Sequence, residues 1–110
     1  MASVELDGIN KVYDNGFHPV QALSIGGFRI AALPGEFFCE IGLKLARTDA
    51  PLMPVGYANG NIGYIPMDKD FRDAADYACY CAPMFYRLFP FEPGIERTFL
   101  RETRKALQGL

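Results

Sequence analysis

The feature that most constrains the fold is a change of hydrophobic period on either side of a Pro-Gly pair. Residues 28–33 follow two glycines and form a mostly apolar run that is typical of a buried strand. Residues 34–35, the Pro-Gly pair, end that run abruptly. Beyond them, apolar residues recur at the spacing of one helix face, which predicts a helix over residues 36–47. This stripe consists of Phe37, Ile41 and Leu45, with Phe38 beside it.

The N-terminal residues predict a hairpin that precedes this strand. Loose alternation over residues 3–12 indicates an edge strand, and residues 20–25 predict its returning partner. Between them lies Asp14-Asn15-Gly16, a turn signal because Asn and Gly tolerate positive φ.

The rest of the chain predicts another strand, a less regular middle and a final helix. Residues 52–58 predict a short strand interrupted by proline, and residues 71–79 predict a helical stretch. Residues 83–93 predict a loop rich in aromatic side chains. Residues 94–108 predict an amphipathic helix with Ile95, Phe99, Thr103 and Leu107 on its apolar face and Arg97, Arg101 and Arg104 largely off it. Together these elements predict an α/β fold, a small mixed sheet with two or more packed helices.

Length and charge narrow the possible functions. The 110 residues fit one domain, and the formal net charge of -2 comes from acids and bases mixed along the chain. That distribution lacks the basic field that nucleic-acid binding requires. No apolar run reaches the length of a membrane span. Because the first residues carry acids where a signal peptide needs basic and then apolar residues, the sequence as written predicts a cytoplasmic protein.

The three cysteines do not form a recognisable metal motif. Cys79 and Cys81 are two residues apart, and neither a second cysteine pair nor a His-x-His accompanies them or Cys39. We interpret all three as buried, reduced thiols.

Two segments could carry chemistry. Glu36 follows the strand at residues 28–33, and the carboxyl ends of strands are where open α/β sheets place their sites. Its structural alternative is an acid at the start of a helix, favoured by the helix dipole. The loop at residues 57–66 holds two Asn and several Gly between tyrosines, which allows the backbone to approach a ligand closely. Its alternative is a plain surface turn with Tyr64 packed on the core.

These two segments, in this order, resemble the neutral/alkaline ceramidase family. The first is Phe-Arg-Ile-Ala-Ala-Leu-Pro-Gly-Glu-Phe-Phe at residues 28–38, and the second is Ala-Asn-Gly-Asn-Ile-Gly-Tyr-Ile-Pro at residues 58–66. The resemblance covers residues 25–110 and implies the C-terminal part of a larger hydrolase domain.

The resemblance implies a zinc amidase that cleaves the N-acyl bond of ceramide, a lipid amide. In that family two His, one Glu from the Pro-Gly-Glu turn and one Tyr from the Asn-containing loop hold the metal. Carried over, Glu36 and Tyr64 are the metal ligands, and Tyr57 and Asn59 are the substrate-binding residues. Zinc accepts carboxylate oxygen, and a zinc-bound water can attack an amide carbonyl. Family members are often secreted or membrane-associated.

Two departures from the family pattern imply an inactive chain with an incomplete zinc site. The family's histidine ligands lie upstream of the matching region, and the only histidine here is His18. An acid that often follows the tyrosine loop is missing, or is displaced to Asp76. We therefore expect no catalytic residue in this chain alone, and little or no amidase activity unless a His-bearing half is supplied.

Residues 1–24 resemble the N-terminus of sugar-importer ABC ATPases. The resemblance implies that Tyr13 corresponds to the aromatic residue that stacks on adenine. No G-x-x-x-x-G-K-[ST] sequence follows to hold phosphates, so a packed hairpin aromatic is the favoured interpretation of Tyr13. The join near residues 24–27 suggests a recombined or truncated gene or an artificial fusion.

Two other functions compete with the hydrolase hypothesis. A non-catalytic interaction module would use the aromatic residues of segment 85–91 as an oligomer or partner surface. A remnant of an ABC-type ATP-binding subunit is the third hypothesis.

Overall fold

A computed structural model describes residues 4–7, 20–47 and 51–110 of the chain. The strands are β1 (Val4–Asp7), β2 (Gln21–Ile25), β3 (Phe28–Ala32), β4 (Glu36–Phe37), β5 (Leu52–Val55) and β6 (Tyr64–Ile65). The helices are α1 (Cys39–Ala46), α2 (Ala82–Phe85) and α3 (Ile95–Gln108), with a 3₁₀ turn at Asp70–Arg72 and a π-helical turn at Tyr77–Cys81. Within these ranges, no helix is long and apolar enough to cross a bilayer.

The predicted small mixed sheet with packed helices is confirmed. The main sheet has the strand order β1-β2-β3-β5, and β4 and β6 form a separate two-stranded parallel pair. Strands β1, β2 and β3 are antiparallel neighbours, whereas β5 runs parallel to β3. A parallel neighbour needs a crossover connection, and the segment that contains α1 provides it. Strand β1 lies at the edge of the sheet, as predicted.

The turn between β2 and β3 shows why these two strands pair in one register. Ile25 pairs with Phe28, which leaves Gly26 and Gly27 as a two-residue connection. Their φ angles are 56° and 84°, the left-handed region in which L side chains are disfavoured. Strand β2 spans residues 21–25 and therefore crosses the boundary that was predicted between residues 24 and 25.

The core lies between the main sheet and helices α1 and α3. Helix α3 matches its predicted bounds to within a residue, and its predicted apolar face is confirmed, with Phe99, Thr103 and Leu107 buried. The Thr103 hydroxyl donates to the Phe99 carbonyl at 2.8 Å, so its burial leaves no unpaired donor. The strands, α1 and the residue directly after β3 supply Ala22, Ala31, Leu33, Ile41, Leu45 and Ile65.

A buried carboxylate ties the two long helices together. Glu96 at the start of α3 accepts a hydrogen bond from the Lys44 ammonium of α1 through Oε1. Its other oxygen accepts the Asp68 N–H at 2.9 Å, and Asp68 in turn accepts the Gly94 N–H at 2.7 Å. The charge of Glu96 is therefore balanced inside the fold.

Several predicted boundaries are wrong. Helix α1 begins at Cys39 rather than at residue 36, because Glu36 and Phe37 are extended and pair with β6. The helix-dipole interpretation of Glu36 is therefore wrong. Strand β5 ends at Val55 rather than at residue 58.

The middle of the chain also differs from its prediction. The helical stretch predicted over residues 71–79 is broken into the 3₁₀ turn and the π-helical turn, and α2 extends into the predicted aromatic loop. Pro83 is the second residue of α2, a position where its missing N–H costs no helical hydrogen bond. The predicted turn at residues 14–16, Tyr13 and His18 lie outside the described residues.

Candidate functional site

Strand topology brings the two predicted site segments to one edge of the sheet. Strands β3 and β5 are parallel, so their carboxyl ends point the same way. Glu36 lies shortly after the end of β3, and Tyr57 lies shortly after the end of β5. The Leu33 N–H donates to the Val55 carbonyl at 2.9 Å, and the Ala58 N–H donates to the Leu33 carbonyl at 3.1 Å, so the pairing continues past the strand ends. This is the edge at which open α/β sheets bind ligands.

The pairing of β4 with β6 sets the two predicted metal ligands side by side. In its register Glu36 is opposite Tyr64, and Phe37 is opposite Ile65. The Glu36 N–H donates to the Gly63 carbonyl at 2.8 Å, and the Phe38 N–H donates to the Ile65 carbonyl at 3.4 Å. The predicted convergence of Glu36 and Tyr64 is thus a property of the backbone.

Glycines permit the close approach of these segments. Gly35 has φ +122°, and a Cβ there would lie 2.6 Å from the Gly63 carbonyl oxygen. Gly63 has φ +88°, and a Cβ there would lie 3.1 Å from the ring of Tyr86. A side chain at either position would push apart groups that meet at the site.

Three phenols surround the Glu36 carboxylate. The Tyr86 hydroxyl donates to Glu36 Oε1, and the side chains of Tyr57 and Tyr64 also form hydrogen bonds with this carboxylate. The Tyr86 bond lowers the pKa of Glu36 most; partial burial opposes it, and the bonds from Tyr57 and Tyr64 add to it. The pKa of Glu36 is therefore below its ordinary value of 4.5, and the group is ionised at neutral pH.

The same contacts keep the phenols protonated. The hydrogen bond to Glu36 is the largest influence on each of them and raises the pKa of Tyr57 to about 12. It also raises the pKa of Tyr64 and of Tyr86. A hydrogen bond with Asn61 partly offsets the rise at Tyr86. We refer to Glu36, Tyr57, Tyr64 and Tyr86 as the Glu36 cluster.

Tyr86 and Asn61 are site residues that the sequence did not single out. Tyr86 lies in the segment predicted as an aromatic loop, directly after α2, and reaches Glu36 from a position 50 residues away. Its backbone N–H donates to the Pro83 carbonyl at 3.1 Å, which fixes the turn that carries it. Asn61 accepts the Gly63 N–H at 2.9 Å through its side-chain oxygen. The Asn-x-Gly spacing was the available signal for Asn61; Tyr86 had none.

The two predicted substrate-binding residues differ in what the structure shows. Tyr57 belongs to the Glu36 cluster, although 62% of its surface stays exposed. Asn59 is exposed and has a φ of 69°, in the tight turn that follows β5. Its predicted contact with substrate remains a prediction.

An aromatic wall extends from the cluster across the π-helical turn. Tyr64 makes edge contacts with Phe38 and Tyr77, with ring centroids 6.3 Å and 5.9 Å apart. Tyr77 in turn lies 6.5 Å from Phe85. Exposure rises along this wall from 53% at Tyr77 to 75% at Phe85, and Phe89, four residues further along the chain, is 94% exposed. The ionised carboxylate therefore borders a large apolar surface.

The donor set at Glu36 is smaller than a zinc site requires. Within the described ranges no group of three His, Cys, Asp or Glu side chains could hold a metal ion, and no ion pair involves Glu36. The cluster offers one carboxylate and phenol oxygens, whereas zinc sites in proteins use imidazole or thiolate ligands as well. The described residues therefore do not complete a zinc coordination shell.

Asp76 and the cysteines lie outside the Glu36 cluster, and Asp76 stabilises the local fold. Asp76 accepts the Cys79 N–H at 2.9 Å and caps the π-helical turn. Burial, followed by the hydrogen bond and the charge of Asp76, raises the pKa of the Cys79 thiol to about 12. All three cysteines are free, but the prediction that all are buried is wrong, because Cys39 is exposed at the start of α1.

Comparison with known proteins gives no relative for this chain. No protein-family model, no curated protein and no solved structure matches it.

Proposed function

We propose that the Glu36 cluster is the oxygen half of the zinc site of a ceramidase-like amide hydrolase, with Glu36 and Tyr64 as the two ligands. The observation that carries this proposal is the β4–β6 register, which sets Glu36 opposite Tyr64. These residues come from separate segments, and both segments resemble the same enzyme family. A chance resemblance gives no reason for the two residues to meet.

The chain's own contribution to such a site is to hold and orient a carboxylate. Tyr86 donates a hydrogen bond to Oε1 of Glu36, and the pairing of β4 with β6 positions the backbone beneath it. A bound zinc ion would polarise an amide carbonyl and activate a water. Tyr64 would then serve as a phenolate, since a nearby dication lowers the pKa that the hydrogen bond with Glu36 raises.

The proposal includes inactivity of the chain by itself. A catalytic zinc site uses three protein ligands with imidazole prominent among them, and this sequence has one histidine. We expect the purified protein with added zinc to leave a fluorescent ceramide uncleaved. Turnover that the Glu36→Gln variant abolishes would contradict the inactivity.

Free imidazole can stand in for the missing ligands and so tests the half-site directly. We expect Co²⁺ to bind weakly to the protein alone and to give the intense visible bands of a tetrahedral site when imidazole is added. These bands should vanish in Glu36→Gln and weaken in Tyr64→Phe. Tyr80→Phe is the matched control, because the Tyr80 hydroxyl donates to the Phe71 carbonyl at 3.0 Å and is not part of the cluster.

Two results would overturn the half-site proposal. One is the absence of any imidazole-dependent spectrum in the wild-type protein. The other is a spectrum that Glu36→Gln leaves unchanged, which would place the metal elsewhere.

A second candidate function is a non-catalytic interaction module. Its support is the exposure of large apolar side chains in and after α2, where Met84, Phe85 and Phe89 are 69%, 75% and 94% exposed. Side chains of this kind bury much area when a partner covers them. If they form a self-association surface, light scattering should show a dimer or larger species that Phe85→Ser/Phe89→Ser converts to a monomer.

The control for this experiment is Leu43→Ser, which changes an exposed leucine on α1 and should leave the oligomeric state unchanged. A monomeric wild-type protein would exclude self-association.

A further inference from the structure

The outer face of α3 carries a stripe of cationic side chains. Arg97, Arg101, Arg104 and Lys105 recur at intervals of three or four residues, or are adjacent, and therefore lie along one side of the helix. They border a shallow groove with a volume of about 390 Å³. Leu100 and Gln108 complete its lining. All four cationic side chains belong to exposed residues.

Acidic side chains neutralise only part of this stripe. Glu102 accepts from Arg101 at 2.8 Å and from Lys105 at 3.2 Å. Among the described residues, neither Arg97 nor Arg104 forms an ion pair. The other acid of the helix, Glu96, is bound to Lys44 on the buried side. The groove is thus locally cationic in a chain whose net charge is -2.

The lining of the groove combines cationic walls with one apolar residue. Leu100 is only 7% exposed and packs into the core cluster, so its remaining surface faces the groove. Guanidinium groups bind phosphate through paired N–H donors, which distinguishes them from ammonium groups. Arginines without carboxylate partners are available for such contacts.

We propose that this groove binds a phosphate group. The group could belong to an anionic phospholipid at a bilayer surface or to a soluble phosphate ester, since both present the same oxygens. The proposal is independent of the zinc half-site, because no residue of the Glu36 cluster lines the groove. Failure of either proposal therefore leaves the other untouched.

The test uses the full chain, two probes and a charge-matched control. The probes are octyl phosphate below its micelle concentration, followed by NMR, and phosphatidylcholine vesicles with or without phosphatidic acid, followed by sedimentation. The test variant is Arg97→Gln/Arg104→Gln. The control, Arg47→Gln/Arg72→Gln, removes the same number of positive charges from two exposed arginines that do not line the groove.

We expect the wild-type protein to bind at least one probe, with chemical-shift changes centred on α3 for octyl phosphate. The test variant should weaken binding about tenfold, as expected for the loss of charged hydrogen bonds, and the control should retain it. Binding to octyl phosphate identifies a soluble-ester site, whereas binding to the acidic vesicles alone identifies a membrane surface. If both variants weaken binding equally, binding depends only on the net charge of the protein, and the proposal is overturned. Failure of the wild-type protein to bind either probe would also overturn it.

Discussion

Two glutamates, Glu96 and Glu36, show how differently this small fold treats a carboxylate. At Glu96, burial acts to raise the pKa, but the hydrogen bond from Lys44 and the Asp68 N–H outweigh it, so the pKa is lowered. At Glu36, phenol hydrogen bonds lower the pKa against partial burial, and no cation shares in the effect. One charge is balanced by an ammonium group, and the other is only solvated by neutral hydroxyls.

This difference separates a structural carboxylate from a candidate binding group. Glu96 links α1 to α3, and any new cation would have to displace Lys44. Glu36 has its negative charge in place, its position fixed by β-pairing, and no positive partner among the described residues. Carboxylates with a perturbed pKa cluster at functional sites, which makes Glu36 the candidate binding group.

The largest predicted effect tests whether the Glu36 region depends on its backbone contacts. Gly35→Ala should destabilise the protein by about 3 kcal/mol, since it combines a positive φ with a Cβ only 2.6 Å from a carbonyl oxygen. Gly94→Ala, near Glu96, also has a positive φ but meets nothing within 4 Å, so about 1 kcal/mol is expected. Urea denaturation measures both, and equal losses would show that the contact at Gly35 is unimportant.

Removing the two charges should also affect stability unequally. Glu96→Gln should cost about 1.5 kcal/mol, because it removes the charge that faces Lys44; the figure is kept low because Lys44 is 44% exposed. Glu36→Gln should cost about 0.5 kcal/mol, since an amide oxygen still accepts phenol hydrogen bonds. The free energies of unfolding of both variants should be measured at neutral pH. A larger loss in Glu36→Gln than in Glu96→Gln would contradict this distinction.

The pKa values of Glu36 and Glu96 should respond differently to added salt. Both folded-state pKa values are lowered, so both carboxylates stabilise the fold above pH 4.5 and lose that contribution as the pH falls through the folded-state value. Added salt should raise the pKa of Glu96 by screening Lys44, and should leave that of Glu36 nearly unchanged. Carboxyl-detected NMR measures both, and an equal response to salt would indicate a cation near Glu36.

Tyr57 gives the smallest predicted effect. Its pKa of about 12 arises first from its hydrogen bond with the Glu36 carboxylate, so Glu36→Gln should return it toward 10. Because the raised value favours the protonated phenol, this contribution is present at neutral pH and is lost only as the pH rises through about 12. Ultraviolet difference spectroscopy follows the ionisation of Tyr57. An unchanged pKa of Tyr57 in Glu36→Gln would show that Glu36 does not cause the raised value.

Local patterns predicted most elements, whereas long-range pairing determined the errors. The 3.6-residue period located α3 well, and the glycines at 26 and 27 marked the β2–β3 turn. The same periodicity placed residue 36 in a helix, because a two-residue parallel pairing with a segment 28 residues away leaves no local signal.

The residues of the candidate site show the same contrast between local patterns and long-range contacts. Glu36 and Tyr64 were singled out because each lies in a short local motif, the Pro-Gly-Glu turn and the Asn- and Gly-rich loop. Tyr86 was missed because its contact with Glu36 depends on α2, which the sequence did not predict, and on the π-helical turn, whose bounds it did not predict. Hydrogen bonds between groups 50 residues apart leave no pattern in a single sequence.

The titration of Glu36 tests the central claim most directly. Carboxyl-detected NMR should give a pKa below 4.5 in the wild-type protein and a higher pKa in Tyr86→Phe, with no change in the Tyr80→Phe control. A Glu36 pKa at or above 4.5 that Tyr86→Phe does not move would contradict the convergence of phenols on this carboxylate.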